Sequence, residues 1–212
     1  MADDETRRFR PERFKAFVDA VVAIAMTLLI LPLMEAVGEA AKGELTTSEF
    51  LGEHSGQLLS FALSFVLIAT FWIGHHNQYR DVEWMTGPLL WINIAWMLTI
   101  VWLPVPTAMI GQMSTDALQT VVYIGTLILT QVTTLGAWLY LGRNPGLTTA
   151  PPATIRAGVI GDLSAIILFG LALAIALLLP DHSYAGMFLL LATGAVTRVI
   201  TRVAGRRRAG RG

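Results

Sequence analysis

The sequence contains no cysteine, so disulfide scaffolds, thiolate metal sites and cysteine nucleophiles are all excluded. Charge is scarce too: Asp, Glu, Lys and Arg make up 14% of the 212 residues while 54% are hydrophobic, against about a quarter charged in a soluble domain. The 15 basic and 15 acidic side chains cancel, so net charge says little and position matters more. No secretory leader is expected: MADDETRRFRPERFKAFVD is too acidic and polar for one, and no small-residue cleavage site follows the first apolar run. Met1 is therefore expected to be the real start of the chain.

What is present is a series of long apolar runs. A bilayer core needs roughly 20 apolar residues per helix, and six stretches qualify, at about 14–36, 56–78, 86–110, 117–141, 155–179 and 184–204. The expected fold is all-α and integral to the membrane, a single domain over residues 1–212 with a basic tail at about 205–212. The longest connection, Val37 to Ser55, carries Glu39, Glu44, Glu49 and Glu53 beside Lys42, and the other turns are punctuated by Gly and Pro, as at Arg143-Asn144-Pro145-Gly146, Ala150-Pro151-Pro152 and Pro180-Asp181-His182-Ser183. Six spans leave both termini on one side. Arg7, Arg8, Arg10, Arg13, Lys15, Arg80, Arg143, Arg156, Arg198, Arg202, Arg206, Arg207, Arg208 and Arg211 fall on that side, and Lys42 is the one exception among the 15 basic residues. The positive-inside rule makes both termini cytoplasmic. The GRRRAGRG tail resembles a nucleic-acid or phospholipid patch, but a topology anchor after the last span accounts for it, and no nucleic-acid partner is expected. Arg13-x5-Asp19 and Arg156-x5-Asp162 share a spacing, which is too short to establish a repeat.

The first span is the unusual one, because a polar group inside a membrane is costly and marks function by default. At about 100° per residue, Ile24, Leu28 and Leu31 form one narrow apolar stripe that Glu35 continues, and Asp19 points about 140° away from it. The stripe is either a helix contact face or something more specialised. Asp19 needs a partner, and Arg13, six residues earlier, is not an i,i+4 neighbour. In the second span Trp72, His75 and His76 fall at i, i+3 and i+4, at the same depth as Asp19 when the helices run antiparallel. A carboxylate, an arginine, an indole and an imidazole at one level can satisfy one another in low dielectric. Zinc is a poor reading of His75 and His76, since adjacent helical residues diverge by about 100° and a third ligand is lacking. An enzyme is disfavoured as well, because the intramembrane serines Ser60, Ser64 and Ser164 have no catalytic motif around them.

Arg13-x-x-x-Phe17-Val18-Asp19 followed by AVVAIAMTLLIL resembles the first-helix signature R-x-x-x-F-S-D of the transmembrane protein 175 family, lysosomal and prokaryotic potassium channels, with Val18 in place of the serine. Phe71-Trp72-Ile-Gly-His75-His76, Asn93 and Leu103-Pro104-Val-Pro106-Thr107 are similar to its second and third helices. The resemblance implies six-helix subunits in a homotetramer, with the first helix of each subunit lining a central pore. It places Ile24, Leu28 and Leu31 at a hydrophobic constriction with Thr27 beside it, and Glu35, which continues the stripe, would then form a cation-concentrating ring at the outer mouth. It assigns Arg13, Asp19, Trp72 and His75 to a network that holds the pore helix, with Phe17 and His76 beside it. The implied function is a leak-type potassium channel of the plasma membrane, without cofactor or resident metal, passing monovalent cations. No TVGYG filter is expected: the nearest string, Thr120-Val-Val-Tyr-Ile-Gly125, has valine where glycine is needed and lies within an expected helix. The alternative is a proton-coupled transporter using Asp19 with His75 and His76. It requires a broken helix at mid-depth, and Pro32, Pro104 and Pro106 are expected too near the span ends for that.

Overall fold

The structure, a computed structural model, describes residues 10–114 and 116–178. These residues form an all-helical bundle. Its elements are α1 (Glu12–Leu28), α2 (Leu31–Lys42), α3 (Thr47–Glu53), α4 (Ser55–Tyr79), α5 (Gly87–Trp102), α6 (Pro104–Gln112), α7 (Ala117–Arg143) and α8 (Pro152–Leu178). Five stretches are long and apolar enough to cross a membrane: Glu12–Lys42, Ser55–Tyr79, Gly87–Gln112, Ala117–Arg143 and Pro152–Leu178. They coincide with the first five expected spans. The sixth expected span, the basic tail, and the turn and arginines from 180 onward lie outside the described residues.

Helix boundaries follow local chemistry. Asp116 caps α7 by accepting the Gln119 N–H at 2.6 Å, and Thr46 and Glu49 form a reciprocal capping box at α3. Pro32, Pro88 and Pro104 sit in the first turns of α2, α5 and α6, where the fixed φ of proline suits a helix start. Two expectations are corrected here. The connection from Val37 to Ser55 is largely helical, because the first span runs on to Lys42 and the capping box nucleates α3. The prolines do interrupt spans: α1 stops at Leu28 and resumes as α2 at Leu31, about 24 Å along the helix from Glu12 at 1.5 Å per residue. That is near the middle of the 31-residue stretch.

α1 packs on α4 and α5, α5 on α7, α7 on α8, and α6 bridges α4 and α7. Val18, Val22, Ala25 and Leu29 of α1 enter a core shared with Leu67, Ile68, Trp96, Ile100, Leu127 and Phe169. Because lipid tails are as apolar as these side chains, close packing and interhelical hydrogen bonds must hold the bundle. Ser64 meets the Tyr123 hydroxyl at 2.9 Å and accepts from Thr107 at 2.8 Å, and Thr130 donates to Thr99 at 2.9 Å. A β-carbon on Gly158 would overlap the Trp138 indole, so glycine there lets α8 lie directly against α7. At one end of the bundle the loop after α4 and the loop after α7 are stitched together. Thr149 N–H donates to the Asp81 carbonyl at 2.9 Å and Glu83 N–H to that of Leu147 at 3.0 Å. This puts the Arg80 and Arg143 loops on one side, as their charge required.

Candidate pore face and the contacts that orient it

The two faces of α1 are chemically distinct. Val18 and Ala25 are 1% and 0% exposed, whereas Ile24, Leu28 and Leu31 are 58%, 38% and 51% exposed. Thr27 and Glu35 are exposed on the same side. The expected stripe is therefore a real, unpacked face of the protomer. Opposite it Val18, Val22, Ala25 and Leu29 are buried, with Phe14 and Met26 partly buried against the same core, so the roll of the helix is fixed by packing. Thr27 Oγ1 donates to the Ile24 carbonyl at 2.8 Å. With its one proton committed to the helix, the hydroxyl offers only lone pairs to anything beyond it.

Asp19 does find the partner expected in the second span: Trp72 Nε1 donates to its Oδ1 at 2.7 Å. The bond ties α1 to α4 from the bundle surface, where Asp19 remains exposed. His76 is also exposed and stands beside Trp72, ring centroids 5.9 Å apart. His75 belongs to a different network. It is buried, it pairs with Asn93 Oδ1 at 2.7 Å, and it stacks between Trp96 and Tyr79 at 4.2 and 4.5 Å. Asn93 in turn donates to the Tyr79 hydroxyl at 2.5 Å and to the Leu89 carbonyl at 2.8 Å.

The single expected network is thus two. Positions 72 and 75 are only about 60° apart around α4, yet Trp72 reaches Asp19 on α1 while His75 reaches Asn93 on α5. Arg13 joins neither, being exposed and without a hydrogen bond or ion pair to Asp19 among the described residues. Phe17 is corrected as well. At 57% exposure it lies seven residues before Ile24 on the exposed face, and the aromatic that packs inward is Phe14, one turn before Val18. Tyr79 and Trp96 were missed as members of the histidine network. The i,i+4 spacing of His75 and Tyr79 was the available signal. Asp162 was also underweighted: its Oδ2 is sealed from solvent with no partner among the described residues.

The model of the family described as endosomal/lysosomal potassium channel TMEM175 matches residues 13–104. Over those residues the chain is similar to the TMEM175 family. The match begins at Arg13 and ends at the α5–α6 junction, so it takes in the whole exposed stripe and both networks. A protein of Streptomyces collinus named as a potassium channel is 30% identical over 100 residues, 47% of each chain. Chicken TMEM175, named as an endosomal/lysosomal proton channel, is 37% identical over 100 residues, 44% of this chain and 20% of its own. The chain spans about half the length of the bacterial relative it matches, and less of the vertebrate one. A crystal structure of a TMEM175 homologue from Chamaesiphon minutus, described as lysosomal and potassium-selective, superposes with a TM-score of 0.62 at 21% identity. It covers 89% of this chain and 96% of that one. The TMEM175 fold thus extends beyond the part matched in sequence.

Proposed function

We propose that this protein is a leak-type potassium channel of the plasma membrane, a homotetramer of one-domain subunits whose α1 helices surround the ion path. The observation that carries the reading is the bare stripe of Ile24, Leu28 and Leu31 on a helix whose other face is locked into the bundle. A family of channels and a bacterial relative named as a potassium channel support it. One helix per subunit cannot enclose a path alone, so the reading requires several copies, with lipid around them and both termini cytoplasmic.

Rings of Ile24, Leu28 and Leu31 make a constriction too narrow and apolar for hydrated ions, which gates by wetting or side-chain rotation. Thr27 supplies acceptor oxygens within it, and a ring of Glu35 concentrates cations at the outer mouth. Potassium is preferred over sodium because it sheds water more easily, and the preference is modest without a carbonyl-lined TVGYG loop. The nearest such string in this chain lies wholly within α7. Asp19 with Trp72, and His75 with Asn93, hold the helix and stay out of the path.

The test is ion flux from liposomes holding the purified protein. The wild type carries potassium, and Ile24→Ala or Leu28→Ala raises flux or lowers selectivity. Unchanged permeation in both would remove the pore assignment. A proton relay through Asp19 and the histidines is disfavoured by geometry, since Asp19 bonds Trp72 and His75 bonds Asn93.

A further inference from the structure

The helix that carries the stripe is interrupted inside it. Pro32 has no N–H to close onto the Leu28 carbonyl one turn earlier. Thr27 O accepts from Ile30 N–H at 3.3 Å and Ile30 O from Met34 N–H at 3.0 Å, but no donor among the described residues takes the Leu28 oxygen. The break is flanked by Leu28 and Leu31, both exposed.

The second interrupted span shows that such an orphan can be repaired. Pro104 removes the donor for Ile100, yet that carbonyl accepts from Leu103 N–H at 3.3 Å in a site where Ile100 and Leu103 are both buried. The α1–α2 break has no such repair among the described residues, and it is flanked by the exposed stripe.

A carbonyl without a donor in the middle of a membrane is expensive unless something polar reaches it. Leu28 itself follows Thr27, whose hydroxyl is already restricted to accepting, and precedes Glu35 by seven residues along the exposed stripe. It also stands at the C-terminal end of α1, where the helix dipole is negative. The polar groups along this part of the stripe are acceptors and a carboxylate, which suits a cation rather than water acting as donor and acceptor.

Resting on the pore reading above, we propose that the Leu28 backbone carbonyls form a binding site for a partly dehydrated monovalent cation. Pro32 is then a specificity-determining residue because it keeps those oxygens free. The permeant ion exchanges water for these carbonyls at the outer half of the constriction, as ions do at unwound helices in other transport proteins.

The test uses the full-length wild type and two variants in liposomes, with crystals soaked in thallium as a potassium substitute. Pro32→Ala restores an N–H to the Leu28 carbonyl. Pro106→Ala, which does the same for Trp102 away from the stripe, is the control. Wild-type crystals should show thallium on the symmetry axis at the level of the Leu28 carbonyls. Pro32→Ala should lose that density and lower the potassium-to-sodium flux ratio about threefold or more, with Pro106→Ala unchanged. Thallium on the axis only at Thr27, or an unaltered ratio in Pro32→Ala, overturns the carbonyl site while leaving the pore reading intact. Absence of wild-type flux overturns both. If Pro32→Ala fails to assemble, the thallium position in the wild type decides.

Discussion

The α7–α8 pair and the α1–α2 span are both long and apolar, yet they are built to opposite ends. α7 and α8 are uninterrupted helices of 27 residues each, brought together where Gly158 leaves room for Trp138. α1–α2 is split by Pro32, held on one side only, and leaves a continuous stripe uncovered. On the proposed pore reading, the difference separates the part of the subunit that holds its shape from the part offered to other copies and to ions. Residues serving the first should matter for folding, and residues serving the second for flux.

Substitutions sharpen that division. Gly158→Leu should be the most damaging, because it drives a side chain into the Trp138 ring, and overpacking of this kind costs about 1–3 kcal/mol or more. Loss of folded protein in a detergent thermal-stability assay is expected, and a stable Gly158→Leu would show that α7–α8 packing is looser than described. Asn93→Ala comes next, since it strands the buried polar atoms of His75 and Tyr79 at about 1–3 kcal/mol. Its lowered melting midpoint should be accompanied by normal selectivity in whatever protein survives.

Asp19→Asn should weaken attachment of α1 by about 1 kcal/mol, within the range of interhelical hydrogen bonds in membranes. It should reduce the tetramer fraction in mild detergent more than it changes ion preference, and a normal tetramer with lost selectivity would put Asp19 in the ion path instead. The smallest effect concerns the outer connection. Hydrogen bonds from the Thr46 hydroxyl and backbone N–H hold the Glu49 carboxyl below the usual carboxylate range. A depressed carboxylate stabilises the cap above its unfolded pKa and loses that contribution as pH falls through its folded one. Amide exchange in α3 should therefore accelerate in acid, and Glu49→Gln should remove the pH dependence while leaving flux unchanged.

Much of the span layout was legible because hydropathy over 20 residues is a strong signal, and the Arg80 and Arg143 loops landed together as their charge demanded. The stripe of Ile24, Leu28 and Leu31 was legible for the same periodic reason. Phe17 was misassigned because a family motif gives membership and not direction. The angle from Ile24 alone would have placed it on the exposed face. The split of Trp72 and His75 into separate networks was not legible, because side chains about 60° apart at similar depth suggested one network and only the packing of α1 and α5 on either side divides them. Thr27's acceptor-only state was out of reach, because the proton's destination depends on a rotamer. The break at Leu29–Ile30 was half visible: Pro32 was seen, but the continuation to Lys42 that makes it central was not.

The central claim is that the exposed face of α1 surrounds the ion path, and the absence of native cysteine makes it directly testable. Single Ile24→Cys, Val22→Cys and Leu98→Cys proteins in liposomes are treated with a positively charged methanethiosulfonate while potassium flux is recorded. Flux should be blocked in Ile24→Cys and spared in Val22→Cys, buried behind the stripe, and in Leu98→Cys, exposed on α5. Block at Leu98→Cys with none at Ile24→Cys would contradict the account.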